Sequence, residues 1–254
     1  MPQVSLFLYI FGSVFIVSLI SVLGIFALSV KTEVINKVLV YLVSFSAGAL
    51  FGDVFFHLFP EVTAEHGFTL SVSISVLAGI VLMFMVEKFV HWRHCHHTNH
   101  DGDHQKIHPF AIMNLIGDAF HNILDGLIIA ASYLVSLPVG IATTIAVILH
   151  EVPQEIGDFG VLIHGGFSKK QAVVFNFLTA LTAFLGACIA IVMAAYVDGI
   201  TTYLVPLSAG AFIYIAGSDL IPELHKETEF EKTLLQFFAF IGGMVVMSLL
   251  LFLG

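Results

Sequence analysis

Two polar stretches decide how this chain is read: Gly117-Asp118-Ala119-Phe120-His121-Asn122-Ile123-Leu124-Asp125-Gly126 and, about thirty residues on, His150-Glu151-Val152-Pro153-Gln154-Glu155-Ile156-Gly157-Asp158. Each lies near the middle of an apolar run long enough to cross a bilayer. A charged Asp or Glu near the centre of an isolated membrane helix costs roughly 2.5 to 3.5 kcal/mol. The two stretches hold five, Asp118, Asp125, Glu151, Glu155 and Asp158, for a sum on the order of 15 kcal/mol. Neither run contains a Lys or Arg, so protons or a metal cation must supply the counter-charge.

The composition around these stretches is that of a membrane protein. Of 254 residues, 58% are hydrophobic and 11% charged, against about 25% charged in a soluble domain. A span needs about 20 apolar residues. Runs at roughly 4–28, 36–59, 68–90, 109–135, 138–163, 170–196, 200–222 and 233–253 qualify, so eight transmembrane helices are expected. The first has no basic leader and exceeds the length of a signal core, and is read as a span. The loops leave no room for a soluble domain, so residues 1–254 are expected to form one transmembrane unit, an all-α polytopic protein.

The nine basic residues set the orientation. Lys31 and Lys37, then Lys88, Arg93 and Lys106, then Lys169 and Lys170, then Lys226 and Lys232 all fall on one side of the spans. By the positive-inside rule that side is cytoplasmic and both termini lie outside. A plasma or inner membrane is the expected residence, an organelle membrane the alternative. The net charge of −9 gives no support to a nucleic-acid partner; divalent metal ions and the bilayer are the partners expected, and a homodimer is left open. Cys188 lies in a span and Cys95 in a cytoplasmic loop, so no disulfide joins them.

Periodicity places the polar groups. At about 100° per residue, Asp118, His121, Asn122 and Asp125 share one arc of their helix, and His150, Glu151, Gln154, Glu155 and Asp158 share one of theirs. Two facing helices then offer an N/O-rich site suited to Zn²⁺, and also to Fe²⁺, Mn²⁺ or Cd²⁺, as transported substrate rather than cofactor. A network that only specified helix packing would need one or two such groups. In the second span, Asp53, His57 and Glu61 recur every four residues and form a polar stripe to the outer end. The sixth span, with no carboxylate, is read as packing, with Asn176, Thr179 and Thr182 as interhelical hydrogen-bond partners. Residues 91–108 hold seven of the thirteen histidines, and the loop at about 92–107, with His94, Cys95, His96, His97, His100 and His104, reads as a cytoplasmic metal collector.

Two sixteen-residue stretches, both starting Ser-Ala-Gly-Ala and both ending Pro-Glu, run from Ser46 to Glu61 and from Ser208 to Glu223. They lie in spans of opposite direction, which suggests an inverted repeat of helices 1–3 and 6–8 about a central pair, a 3+2+3 arrangement. The alternative to transport is an intramembrane zinc-dependent hydrolase, since His-Glu-x-x-His on a helix is a zinc hydrolase signature. Here Gln154 stands at the fifth position and Pro153 interrupts, so the fit is weak.

His121-Asn122-x-x-Asp125-Gly126 and His150-Glu151-x-Pro153-x-Glu155-x-Gly157-Asp158 resemble the motifs of the Zrt/Irt-like (ZIP) divalent-metal transporters. The resemblance spans all eight helices. Gly52-Asp53-x-x-x-His57 resembles the branch with His-Glu-x-Pro-His-Glu in helix 5, in which the position of Gln154 is His. The resemblance implies metal influx into the cytoplasm through a helix 4/5 site and no enzymatic activity. It implies metal-site roles for His121, Asn122, Asp125, His150, Glu151 and Gln154; Glu155 is added from its place on the same face. The expected pathway runs in by Asp53, His57 and Glu61 and out past Asp158, Asp118 and His164. With no carboxylate in helix 6, one principal site is expected.

Overall fold

The computed structural model describes residues 3–23, 32–94, 107 and 109–253. Every described element is helical. Helix α1 spans Gln3–Ile20 and ends in a 3₁₀ turn, Ser21–Leu23; α2 runs Thr32–Asp53, widens into a π turn at Val54–Leu58 and continues as Phe59–His66; α3 is Leu70–His94, α4 Pro109–Val135 and α5 Leu137–His164. Helix α6 comprises Lys169–Ala180 and Ala183–Tyr196, α7 runs Thr201–Tyr214 through a second π turn, Ile215–Leu220, to Ile221–Leu224, and α8 is Phe230–Leu250. Joined across these interruptions, the described residues give eight helices and no strand.

Seven of the helices are long and apolar enough to cross a membrane, α2 through Val38–Ala64 and α3 through Leu70–Lys88 among them. This makes the chain an integral multi-pass membrane protein. The eighth expected span differs. Helix α1 is apolar over Val4–Ile20, less than the about 20 residues of a crossing, and residues 24–28 of its expected run lie outside the described residues. So do Cys95, His96, His97, His100 and His104 of the expected collector loop, and the side chains of His94 and His164.

The helices pack as close pairs because glycines let backbones touch. A Cβ on Gly48 of α2 would lie 1.9 Å from the Phe240 carbonyl oxygen of α8, and one on Gly243 of α8 would lie 2.1 Å from that of Phe45 in α2. Helices α3 and α7 meet in the same reciprocal way, Gly79 on the Leu207 carbonyl and Gly210 on that of Val76, as do α4 and α6 through Gly126 and Gly186. No larger residue fits at these crossings. The shared core is apolar, with Ile10 and Val14 of α1, Leu50, Val54 and Leu58 of α2, Ile128 and Ile129 of α4 and Phe212 of α7 all buried.

What positions the polar stretches is the α4–α5 hairpin. Ser136 alone separates the two helices and caps α5, its Oγ accepting from the Val139 N–H at 3.4 Å. A one-residue connection forces antiparallel neighbours. His121 lies fifteen residues before Ser136 and His150 fourteen after it, so at about 1.5 Å per residue both sit at the same depth, about 22 Å from the turn.

Candidate metal centre

At that shared depth four side chains converge. His121 Nε2 lies 3.2 Å from His150 Nε2, 3.6 Å from Asp125 Oδ2 and 3.4 Å from Glu151 Oε1. His150 Nε2 lies 3.4 Å from Asp125 Oδ2 and 3.5 Å from Glu151 Oε1. All four donor atoms fall within 4.8 Å of one another. Zinc bonds to imidazole nitrogen and carboxylate oxygen measure about 2.0 to 2.1 Å in tetrahedral sites, which places ligand atoms roughly 3.3 Å apart. The five separations that involve a histidine nitrogen, 3.2 to 3.6 Å, are those of a tetrahedral ligand set, and His₂-carboxylate₂ is a donor set that zinc accepts.

The electrostatics point the same way. Asp125, His150 and Glu151 are no more than 1% exposed, and His121 is 9% exposed. Both oxygens of Asp125 and Oε1 of Glu151 have no hydrogen-bond partner among the described residues. Two imidazole nitrogens at 3.2 Å cannot both present lone pairs to each other without a cation between them. His150 Nδ1 lies 3.2 Å from the Ala146 carbonyl, and a proton held there leaves Nε2 as the free ligand atom.

The other expected ligands stand around this group. Asn122 donates from Nδ2 to Asp118 Oδ1 at 2.9 Å and to the Asp118 carbonyl at 3.1 Å. Glu155 turns to α6, where Asn176 Nδ2 donates to its Oε2 at 2.9 Å. Gln154 is half-buried and lines a cavity of about 210 Å³ with Asn114, Asp118, His121 and Asp158. That cavity ends on His121 and extends toward the start of α4, where Glu87, Tyr214 and Asp219 also line it. Asp158 accepts from Asn114 Nδ2 at 2.9 Å, and Asp118 Oδ2 accepts from Thr179 of α6.

The expected stripe on α2 divides. Thr143 of α5 donates to Asp53 Oδ2 at 3.1 Å, whereas His57 Nε2 lies 2.9 Å from the Met247 carbonyl of α8. The π turn between them explains this, because its i→i+5 hydrogen bonding breaks the register in which every fourth residue shares a face. Glu61 is half-buried beyond the turn. Sequence reasoning missed three groups at the cavity, Glu87, Tyr214 and Asp219; Asn176 and Thr179, expected as interhelical hydrogen-bond partners, bond two site acids.

Comparison with known proteins agrees with this chemistry. A family model described as ZIP zinc transporter matches residues 4–109 and 91–251. The chain is 32% identical over 276 residues to the zinc transporter zipt-7.2 of Caenorhabditis elegans, covering 87% of this chain and 60% of that protein. It is 30% identical over 273 residues to zinc transporter ZIP13 of Danio rerio, covering 87% and 78%, and 29% identical over 336 residues to zinc transporter SLC39A7 of Mus musculus, covering 98% and 71%. The chain thus spans somewhat more than half the length of the worm protein. These matches leave no support for a hydrolase, and a family model covering nearly the whole chain makes this protein a member of the ZIP zinc transporter family.

Proposed function

We propose that the chain moves divalent transition-metal cations, zinc foremost, across the membrane into the cytoplasm, using His121, Asp125, His150 and Glu151 as its transport site. The observation that carries this reading is the tetrahedral spacing of four buried donor atoms, two of them on carboxylates with oxygens that nothing else in the described protein satisfies. Such a group is costly without a cation. The names of the related zinc transporters favour the same metal.

The 210 Å³ cavity lies on the side of Lys169 and Lys170, which the positive-inside rule assigns to the cytoplasm. It serves as the exit, with Asp118 and Asp158 along it and both termini on the far side. Asp53, His57 and Glu61 belong to the outer half. Asn122, Gln154 and Glu155 assist from around the site, and the loop at about 92–107 collects metal beyond the cavity.

A 3+2+3 arrangement with inverted halves is supported by two correspondences. Ser46-Ala47-Gly48 and Ser208-Ala209-Gly210 each present their glycine to one partner helix, α8 and α3 respectively, in a reciprocal contact. Each helix then enters a π turn, Val54–Leu58 or Ile215–Leu220, shortly before its Pro-Glu pair. The Gly52-Asp53-x-x-x-His57 signature supports the branch with His-Glu-x-Pro-His-Glu in helix 5, from which Gln154 departs.

The decisive experiment is zinc uptake into proteoliposomes by the purified protein and its H121A and D125A variants. Both variants are expected to insert and to lose uptake by more than about 100-fold, beyond the 10- to 100-fold that loss of an outer supporting group costs. Near-normal uptake by both variants sinks the site.

A further inference from the structure

Pro153 sits inside α5, three residues after His150 and two after Glu151. Proline has no N–H, so the carbonyl four residues earlier loses its helical donor, and the ring pushes that carbonyl off the helix axis. The carbonyl is that of Leu149, immediately before the two metal-site residues. A buried acceptor left bare is costly, and this one is not bare. Ser46 of α2 donates from Oγ to the Leu149 oxygen at 2.5 Å. Ser46 is 1% exposed, so solvent is no substitute for it.

A second tie fixes the same helix pair. Thr143 of α5 bonds Asp53 of α2 at 3.1 Å. Moving forward along α2 from Ser46 to Asp53 moves back along α5 from Leu149 to Thr143, the register of antiparallel neighbours. The Ser46 hydroxyl also lies 2.8 Å from the Leu42 carbonyl of its own helix. Its single proton therefore has two acceptors, one within α2 and one across the interface, and Ser46 keeps a partner if α2 and α5 slide apart.

We propose that Ser46 is a positioning residue for the metal centre: by taking up the carbonyl that Pro153 frees, it sets the part of α5 that carries His150 and Glu151. It touches no metal. It acts only through the backbone of Leu149, and this makes its role separable from packing. An alanine at 153 would return an N–H to the Leu149 carbonyl and make the serine redundant.

The test is a double-mutant cycle read as zinc affinity of the purified full chain in detergent, by competition with a chromophoric chelator, with Tm measured alongside. S46A is expected to weaken zinc about tenfold, the lower end of what outer supporting groups contribute. In the P153A background the same serine change is expected to cost less than about twofold, the coupling expected of groups sharing one bond. An equal loss in both backgrounds, or no loss from S46A, overturns the proposal. If P153A does not fold, the isosteric pair S46T and S46V decides, because they differ in the hydroxyl alone; Thr is expected to bind zinc about tenfold more tightly than Val, and equal affinities overturn the role. Ser46 can act in this way only if His150 and Glu151 hold the cation. Unchanged zinc affinity in H150A and E151A would therefore defeat the metal reading itself, whereas loss there with full affinity in S46A defeats only the serine.

Discussion

Two groups of acids share the α4–α5 pair, and neutral donors reach them to different extents. Asp125 has neither oxygen hydrogen-bonded, and Glu151 presents Oε1 to two imidazoles with no hydrogen bond to it. One turn or two away, Asp118 has both oxygens met, by Asn122 and Thr179, while Glu155 and Asp158 each have one oxygen met by an amide, from Asn176 and Asn114, and the other without a partner among the described residues. Neutral donors satisfy a carboxylate without cancelling its charge. The first group therefore waits for a cation and the second is held in part by protein, so the first binds more tightly and the second offers weaker steps along the cavity. A transport site must release what it holds, and a gradient of satisfaction provides for that.

The largest expected effect separates the two groups directly. E151Q removes charge from the bare pair and is expected to lower zinc affinity by more than about 100-fold; D118N removes charge where hydroxyl and amide donors already sit and is expected to cost about tenfold or less. Both are read by chelator competition on the purified protein. Equal losses would erase the distinction and make all the acids one site.

A smaller effect concerns metal choice. Gln154 lines the same cavity as His121, and a carboxamide is a poor ligand for zinc. Q154H adds an imidazole at the cavity edge of the site. Because imidazole favours zinc over manganese more than oxygen donors do, Q154H is expected to raise the ratio of zinc to manganese uptake by about tenfold. An unchanged ratio in proteoliposomes would show that selectivity lies wholly within the four-residue cluster.

The contrast between the two groups also marks what the sequence could show. The ligands were legible because they lie on two regular helices joined by one residue, where a 100° advance per residue and a tight hairpin suffice to bring His121, Asp125, His150 and Glu151 together. Asn176 and Thr179 of α6 were legible as interhelical hydrogen-bond partners, but not that they would meet Glu155 and Asp118, since periodicity does not tell which helix a polar face will meet. The same limit hid Glu87, Tyr214 and Asp219. Seven spans could be read from apolar length. The π turn in α2 could not, and it sends Asp53 to α5 and His57 to α8 where regular spacing would align them.

Outside the membrane, the treatment of the second group recurs at the surface, where it should matter least. In the α7–α8 connection, Glu227 Oε1 accepts from the backbone N–H of Glu229 and of Thr228, each at 3.0 Å, and Lys232 Nζ lies 3.4 Å from its Oε2. The Glu229 N–H first, and then the Lys232 ammonium, holds the Glu227 carboxyl below its ordinary value. A depressed folded pKa stabilises the folded state above the unfolded pKa, and that contribution is lost as pH falls through the folded value. E227A is therefore expected to lower Tm by less than about 2 °C at pH 7. As pH falls below the ordinary carboxylate range and through the depressed folded value, the difference should shrink toward zero. A drop of many degrees, or one that persists in acid, would show that Glu227 holds the connection by hydrogen bonding alone, as Thr179 and Asn176 hold the acids inside, and not by its charge.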